Sequence, residues 1–276
     1  MRLNKPLLTA LLLCGLVSLS ACSGNDKKEP AVESASVETL YERATTAMNE
    51  ERYVEATKYF EEVERQHPYS SWATRAQLMA AYSSYLDQRY DEAVLALDRY
   101  IQLHPGASDV DYAYYLKSLS FYEQISDVRR DQDMTVEAVK SLNALINRFP
   151  DSQYTRDAML KRDLTFDHLA GKEMEIGRYY LNRGHVNAAI NRFRSVVANF
   201  QTTSHVAEAL HRLVEAYMTI GLKREAMQVA AVLGHNYPGS TWYERSYALL
   251  DDTQRQQIID DRGIVERTID SLLKPD

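Results

Sequence analysis

Five alanines, Ala56, Ala93, Ala138, Ala189 and Ala226, each stand twelve residues ahead of a position that closes an apolar-periodic stretch. Four of those closing positions are prolines, Pro68, Pro105, Pro150 and Pro238, and Gln201 holds the fifth. Proline lacks the amide proton that a helix needs and its ring clashes with the preceding turn, so each proline marks a helix end. Glutamate precedes the alanine in four of the five copies (Glu55, Glu92, Glu137 and Glu225). Arg52-Tyr53-Val54-Glu55-Ala56 and Arg89-Tyr90-Asp91-Glu92-Ala93 are nearly one turn written twice. A chain with such a period folds as a stack of like units.

The fullest copy begins at Ile176-Gly177-Arg178-Tyr179-Tyr180 and runs on to Ala189, Phe193 and Val196. Small residues at Gly177 and Ala189 let two helices approach closely, while Tyr180, Phe193 and Val196 fill the space beside the crossing. Asn182-Arg183-Gly184 makes the turn, with a glycine free to take positive φ. This pattern resembles the tetratricopeptide repeat, a helix–turn–helix of about 34 residues. The predicted fold is therefore all-α: a tetratricopeptide-repeat α-solenoid of five helix–turn–helix repeats plus C-terminal helices, each repeat burying its apolar face only against its neighbours.

In order, repeats 1–3 fill residues 37–150, a long helix and repeats 4–5 fill 151–238, and a capping helix and tail fill 239–276. The third repeat carries surplus polar residues between Gln124 and Met134, read as a protruding loop. The interval from Pro150 to Gln201 is too long for one repeat. Its surplus is helical in pattern (Ala158, Leu160, Leu164, Phe166, Leu169), so a long or kinked helix is expected, with Gly171 its weak point. After Pro238 a closing helix carries Trp242, Tyr243 and Tyr247. In the tail, Ile258, Val265, Ile269 and Leu272 have helical spacing that Gly263 interrupts.

The first residues read as an address. Arg2 and Lys5 precede an apolar run, Leu7 to Val17, that is too short to span a bilayer. Leu19-Ser20-Ala21-Cys22 resembles the bacterial lipobox, which implies removal of residues 1–21 and acylation, palmitate included, of Cys22. Ser23 rather than aspartate follows the cysteine, and by resemblance to known sorting signals this directs a lipoprotein to the outer membrane. Residues 22–36 form the acylated cysteine and a polar, flexible tether of reach up to ~50 Å. Cys14 leaves with the leader, so no disulfide framework is expected.

A net charge of −7 argues against nucleic acid as a partner. No catalytic constellation, metal site or cofactor is expected. His67 and His104 share one place in their repeats, just before the proline, and read as structural. Asp109 with Asp111, and Asp131 with Asp133, lack the glycine and glutamate of a calcium loop. There is no phosphate loop and no nucleophile elbow. The chain reads as a non-enzyme.

Nineteen tyrosines against six phenylalanines is a biased aromatic usage. In the repeat register Tyr41, Tyr82 and Tyr85 face the groove of the first two repeats. With an insertion of about eight residues in the third, Tyr112, Tyr115 and Tyr122 join them, while Tyr114, Ser118 and Phe121 take packing positions. Tyrosine offers a broad apolar face and a hydrogen-bonding tip, which suits an extended peptide. The same residues also fit as packing between helices.

The acylation signal, the tether and five such repeats resemble the BamD (ComL) family, the lipoprotein subunit of the outer-membrane β-barrel assembly machinery. The resemblance sharpens at Val110-Asp111-Tyr112, at Phe149-Pro150-Asp151-Ser152-Gln153-Tyr154-Thr155 and at Tyr179-Tyr180-Leu181-Asn182-Arg183-Gly184. It implies a periplasmic scaffold, lipid-anchored at the outer membrane. Its implied partners are a BamA-type insertase, other assembly-complex lipoproteins and unfolded barrel precursors. It also implies that Tyr179, Arg183 and Arg192 dock the insertase. The residues alone leave open a pilotin-like or secretion-assembly lipoprotein and a regulator of a cell-wall enzyme.

Overall fold

The computed structural model describes residues 35–261 and 263–273. The leader, Cys22 and all but the last two residues of the tether lie outside them. Thirteen helices and no strands occur among the described residues. Five pairs form the repeats: α1 (Val37–Asn49) with α2 (Tyr53–Gln66), α3 (Ser71–Leu86) with α4 (Tyr90–Leu103), α5 (Val110–Tyr122) with α6 (Asp133–Arg148), α7 (Thr155–Asn182) with α8 (Val186–Asn199), and α9 (Val206–Thr219) with α10 (Lys223–Asn236). Three shorter helices follow, α11 (Thr241–Ala248), α12 (Asp252–Asp260) and α13 (Ile264–Leu273). Through the repeats, each helix packs on those next to it in the chain, and α1, α3, α5 and α7 also touch in turn. This is a tetratricopeptide-repeat-like solenoid.

The alanine register sets the core. Ala56, Ala93, Ala138, Ala189 and Ala226 are all fully buried. One turn on stand Phe60, Leu97, Leu142, Phe193 and Ala230, and two turns on stand Val63, Tyr100, Leu145, Val196 and Leu233; none is more than 1% exposed. Each large side chain so buried contributes about 1.5–3 kcal/mol. The second helices end alike, on His67, His104, Phe149, Phe200 and Tyr237, with φ between −132° and −127°. In each, the capping amide donates to the carbonyl of the core residue four positions back. With ψ between 44° and 63° each has left the helical region, as the residue before a proline must, and four of the five precede one.

The turn inside a repeat is also periodic. Glu51, Gln88, Gly184 and Gly221 each lie five residues before the register alanine, with φ of 60°, 59°, 76° and 79°. Two of these left-handed positions carry side chains, which costs each about 1–2 kcal/mol relative to glycine. Arg52 and Arg89, one residue on, compensate in part by bridging the flanking acids: Arg52 pairs with Glu50 and Glu55, and Arg89 with Asp87 and Glu92. Because both side chains are exposed, Gln88→Gly or Glu51→Gly should stabilise by about 0.5–1 kcal/mol and raise the melting temperature by about 1–4 °C. Gly221→Ala should move it the other way. Thermal melts followed by circular dichroism decide both.

Two expectations are corrected. The α7 helix runs unbroken through Gly171, which is not a weak point but a place of close approach. A Cβ there would stand 3.3 Å from His205 Nε2 and 3.5 Å from Val128 Cγ2. Packing against His205 and Val128 accompanies a helix that stays continuous through a residue of low helix propensity. The inserted loop of repeat 3, residues 123–132, does not protrude freely. It lies on α7, where Lys172 Nζ donates to the carbonyls of Arg129 at 3.0 Å and Arg130 at 3.2 Å. Gly263 does interrupt the tail, separating α12 from α13.

Candidate functional site

Four tyrosine rings run across the first helices of repeats 2 to 4. Tyr82 on α3 meets Tyr112 on α5 with ring centroids 6.3 Å apart, and Tyr112 meets Tyr154, the residue that opens α7, at 5.3 Å. Tyr115 stacks on Tyr154 at 4.9 Å with an interplanar angle of 16°. All four are half-buried, so each keeps an accessible edge. The Tyr115 hydroxyl donates to Asp157 Oδ2 at 2.7 Å.

Residues far apart in the chain build this row. Ser152 Oγ donates to Asp111 Oδ2 at 2.6 Å, fixing the loop after Pro150 against the start of α5. Thr155 Oγ1 donates to the Phe149 carbonyl at 2.6 Å. Together these bonds set Tyr154 against the rings of α5. Two of the three motif segments thus meet in space, Val110-Asp111-Tyr112 with Ser152-Gln153-Tyr154.

Burial raises the phenol pKa values of Tyr85, Tyr112 and Tyr115, because it penalises the phenolate. For Tyr85 it acts with the Glu123 carboxylate and pushes the value up to about 12. The Tyr112 and Tyr115 phenols are also raised, first by burial, and at Tyr115 then by the bond to Asp157. These hydroxyls stay neutral at physiological pH and can donate or accept hydrogen bonds.

The other expected groove tyrosines lie beside the row rather than in it. Tyr85 packs edge-on against Tyr90 at 5.7 Å, within electrostatic reach of Tyr82, Tyr112 and Tyr115. Tyr41 sits between Phe60 at 5.3 Å and Trp72 at 4.8 Å. The ring of Tyr122 lies under Lys161 Nζ at 5.3 Å.

Sequence reasoning missed Tyr154 as a wall residue, and with it a periodic device. Four residues past each closing position stand Trp72, Tyr154, His205 and Trp242; only the third repeat, with Asp109, lacks a ring. Each ring packs back onto the preceding first helix: Trp72 on Tyr41, Tyr154 on Tyr112 and Tyr115, His205 over Gly171, and Trp242 on His211 at 5.2 Å. The signal was legible as an aromatic at a fixed offset from the proline.

Of the three expected docking residues, Tyr179 is 56% exposed and Arg183 lies over its ring at 5.4 Å. Tyr180 packs edge-on against Tyr179 at 5.8 Å. Arg192 stands apart on α8, where it donates to Glu173 Oε2 at 3.1 Å and Oε1 at 3.3 Å. A shallow cavity of about 270 Å³ beside Arg192 is lined by Glu173, Tyr180, Ala188, Asn191, Arg192 and Ser195, and neither Tyr179 nor Arg183 lines it.

Stacked helical hairpins with a row of rings along their first helices place the chain among tetratricopeptide-repeat proteins. A family model described as an outer membrane lipoprotein, YfiO, matches residues 33–233. The chain belongs to that family. It is 47% identical over 250 residues to a Caulobacter vibrioides protein named outer membrane protein assembly factor BamD, covering 90% of this chain and 82% of the relative. The Rickettsia prowazekii protein of the same name is 46% identical over 254 residues, 92% of this chain and all of the relative. The one from Neisseria meningitidis serogroup B is 35% identical, covering 89% and 96%.

Proposed function

We propose that the chain is an outer membrane protein assembly factor that works by binding rather than by catalysis. It is a lipoprotein, held at the periplasmic face of the outer membrane by acyl groups on Cys22. The names of its relatives support the outer-membrane assembly role. The row of half-buried rings from Tyr82 through Tyr112 and Tyr154 to Tyr115 carries the rest of the reading. Neutral phenols with exposed edges accept aromatic and aliphatic side chains of an unfolded barrel precursor on their faces and its backbone amides at their tips. Photo-crosslinking residues at Tyr82, Tyr85, Tyr112 and Tyr115 should capture precursor peptides, whereas one at exposed Lys223 should not. Equal capture at all five positions would mean non-specific adhesion and would remove the groove from the account.

Docking of a BamA-type insertase falls to repeats 4 and 5, through Tyr179, Arg183 and Arg192. Arginine and tyrosine dominate interface hot spots, and a guanidinium can grip a carboxylate with two bonds. Arg192→Glu should weaken co-purification of the insertase at least tenfold. The fold should survive, because the half-exposed pair with Glu173 is worth no more than about 1 kcal/mol. If Arg192→Glu leaves the complex whole and Tyr112 variants break it, the two ends of the solenoid have been assigned in reverse.

A further inference from the structure

The outer side of α10 is apolar where the other second helices are polar. Five and six residues past the register alanine stand Glu61 and Glu62 on α2, Asp98 and Arg99 on α4, Asn143 and exposed Ala144 on α6, and Arg194 and Ser195 on α8. On α10 the same two places hold Ala231 and Val232, 2% and 3% exposed. Unlike exposed Ala144, these two apolar residues are almost wholly covered, so another element lies over this side of α10. Here the cover is α13, which turns back from the end of the chain and lies across α10 and α8.

The α13 helix has the form of a ligand. Ile264, Thr268 and Leu272 are buried in a line and Val265 and Ile269 are half-buried beside them, while Glu266, Arg267 and Asp270 face water. At ten residues it is too short to hold a helix alone, so its structure comes from the groove it occupies. Beneath it remains an open cavity of about 410 Å³, lined by Val197, Val206, Leu210, Val232, Ile269 and Leu272. The seat is therefore incompletely filled. At its near end Arg267 Nη2 stands 2.5 Å from Asp261 Oδ2, an exposed pair. At the far end Arg194 Nη2 donates to the Ser271 carbonyl at 3.4 Å. None of these ties is buried.

We propose that α8, α9 and α10 form a helix-binding groove whose resident occupant is the chain's own α13, and that α13 undocks as a unit and exchanges with an amphipathic helix of the same pattern supplied in trans. Tethering gives the resident helix an effective concentration near the millimolar range, so it holds the site closed against dilute competitors. The family model ends at residue 233, within α10, so this cover lies beyond the matched segment.

The test uses the full chain and a fluorescently labelled synthetic peptide of residues 264–273. Ile269→Asp with Leu272→Asp spoils the resident helix and leaves every groove residue of α8, α9 and α10 in place. The peptide should bind this double variant at least about tenfold more tightly than it binds the native chain. Adding Val232→Asp should abolish that binding. Equal binding to native and double variant, or no binding to a double variant that keeps its helix content, overturns the proposal. A second measurement needs no variant. In hydrogen exchange of the native chain, the α13 amides should lose protection together, at least about a hundredfold faster than those of α10. Exchange of α13 only in step with α10 would show that it never leaves its seat, and the proposal would fall.

Discussion

A chain carrying Gly177→Val should lose about 3 kcal/mol or more of stability, and adding Phe193→Ala should restore most of it. At Gly177 a Cβ would stand 2.8 Å from Phe193 Cδ1 and 2.9 Å from Cζ, inside any real contact distance. The ring is fully buried and has nowhere to retreat, so α7 and α8 must part. Overpacking of this kind costs about 1–3 kcal/mol, more when backbone has to move, against a few tenths gained from valine's better helix propensity. Phe193→Ala alone empties the same site and should cost about 3–5 kcal/mol. The pair is different because repeat 5 already uses it. In register with Gly177 and Phe193 stand Val214 and Ala230, both fully buried. The double variant copies that solution, so denaturation should place it within about 2 kcal/mol of the native chain, with strong non-additivity. Losses that simply add would show that the close approach at Gly177 is not what limits this crossing.

Cys22→Ala should move the protein from the membrane fraction to the soluble fraction. A single acyl chain gives only marginal attachment, of the order of 10⁴ M⁻¹, and stable anchoring takes two lipid signals. A fully acylated cysteine exceeds that, and removing its thiol removes the acceptor for every chain. The measurement is flotation with vesicles of purified full-length protein, free of other assembly subunits. Continued flotation of Cys22→Ala would overturn the lipobox reading.

The repeats were legible because core and turn positions obey one spacing. Alanine, then a large apolar residue, then a closing proline leaves little freedom in where helices start and stop, and all five copies agree. The tyrosine row was legible in part. Tyr82, Tyr112 and Tyr115 lie on helices whose faces the register predicts. Tyr154 and Trp72 enter at helix starts, where the approach of the chain, not helical periodicity, sets direction. Asp111 to Ser152 is the bond that directs Tyr154, and it joins residues 41 apart. Gly171 was misread because propensity describes an isolated helix, whereas here His205 and Val128 close on the place a side chain would fill. The seat of α13 was hidden for a similar reason. An amphipathic pattern says that one face is covered, and only the anomaly at Ala231 and Val232 says by what.

The unbroken course of α7 has a mechanical consequence. Its 28 residues make a strut about 42 Å long. Tyr154 and Asp157 are at one end, beside the aromatic row; Tyr179 and Arg183 are at the other. Tilting such a length by about 5° would displace its two ends by about 3.7 Å relative to one another. A stack of short hairpins would spread such a tilt over its joints, whereas here one continuous helix spans the interval between the two candidate surfaces.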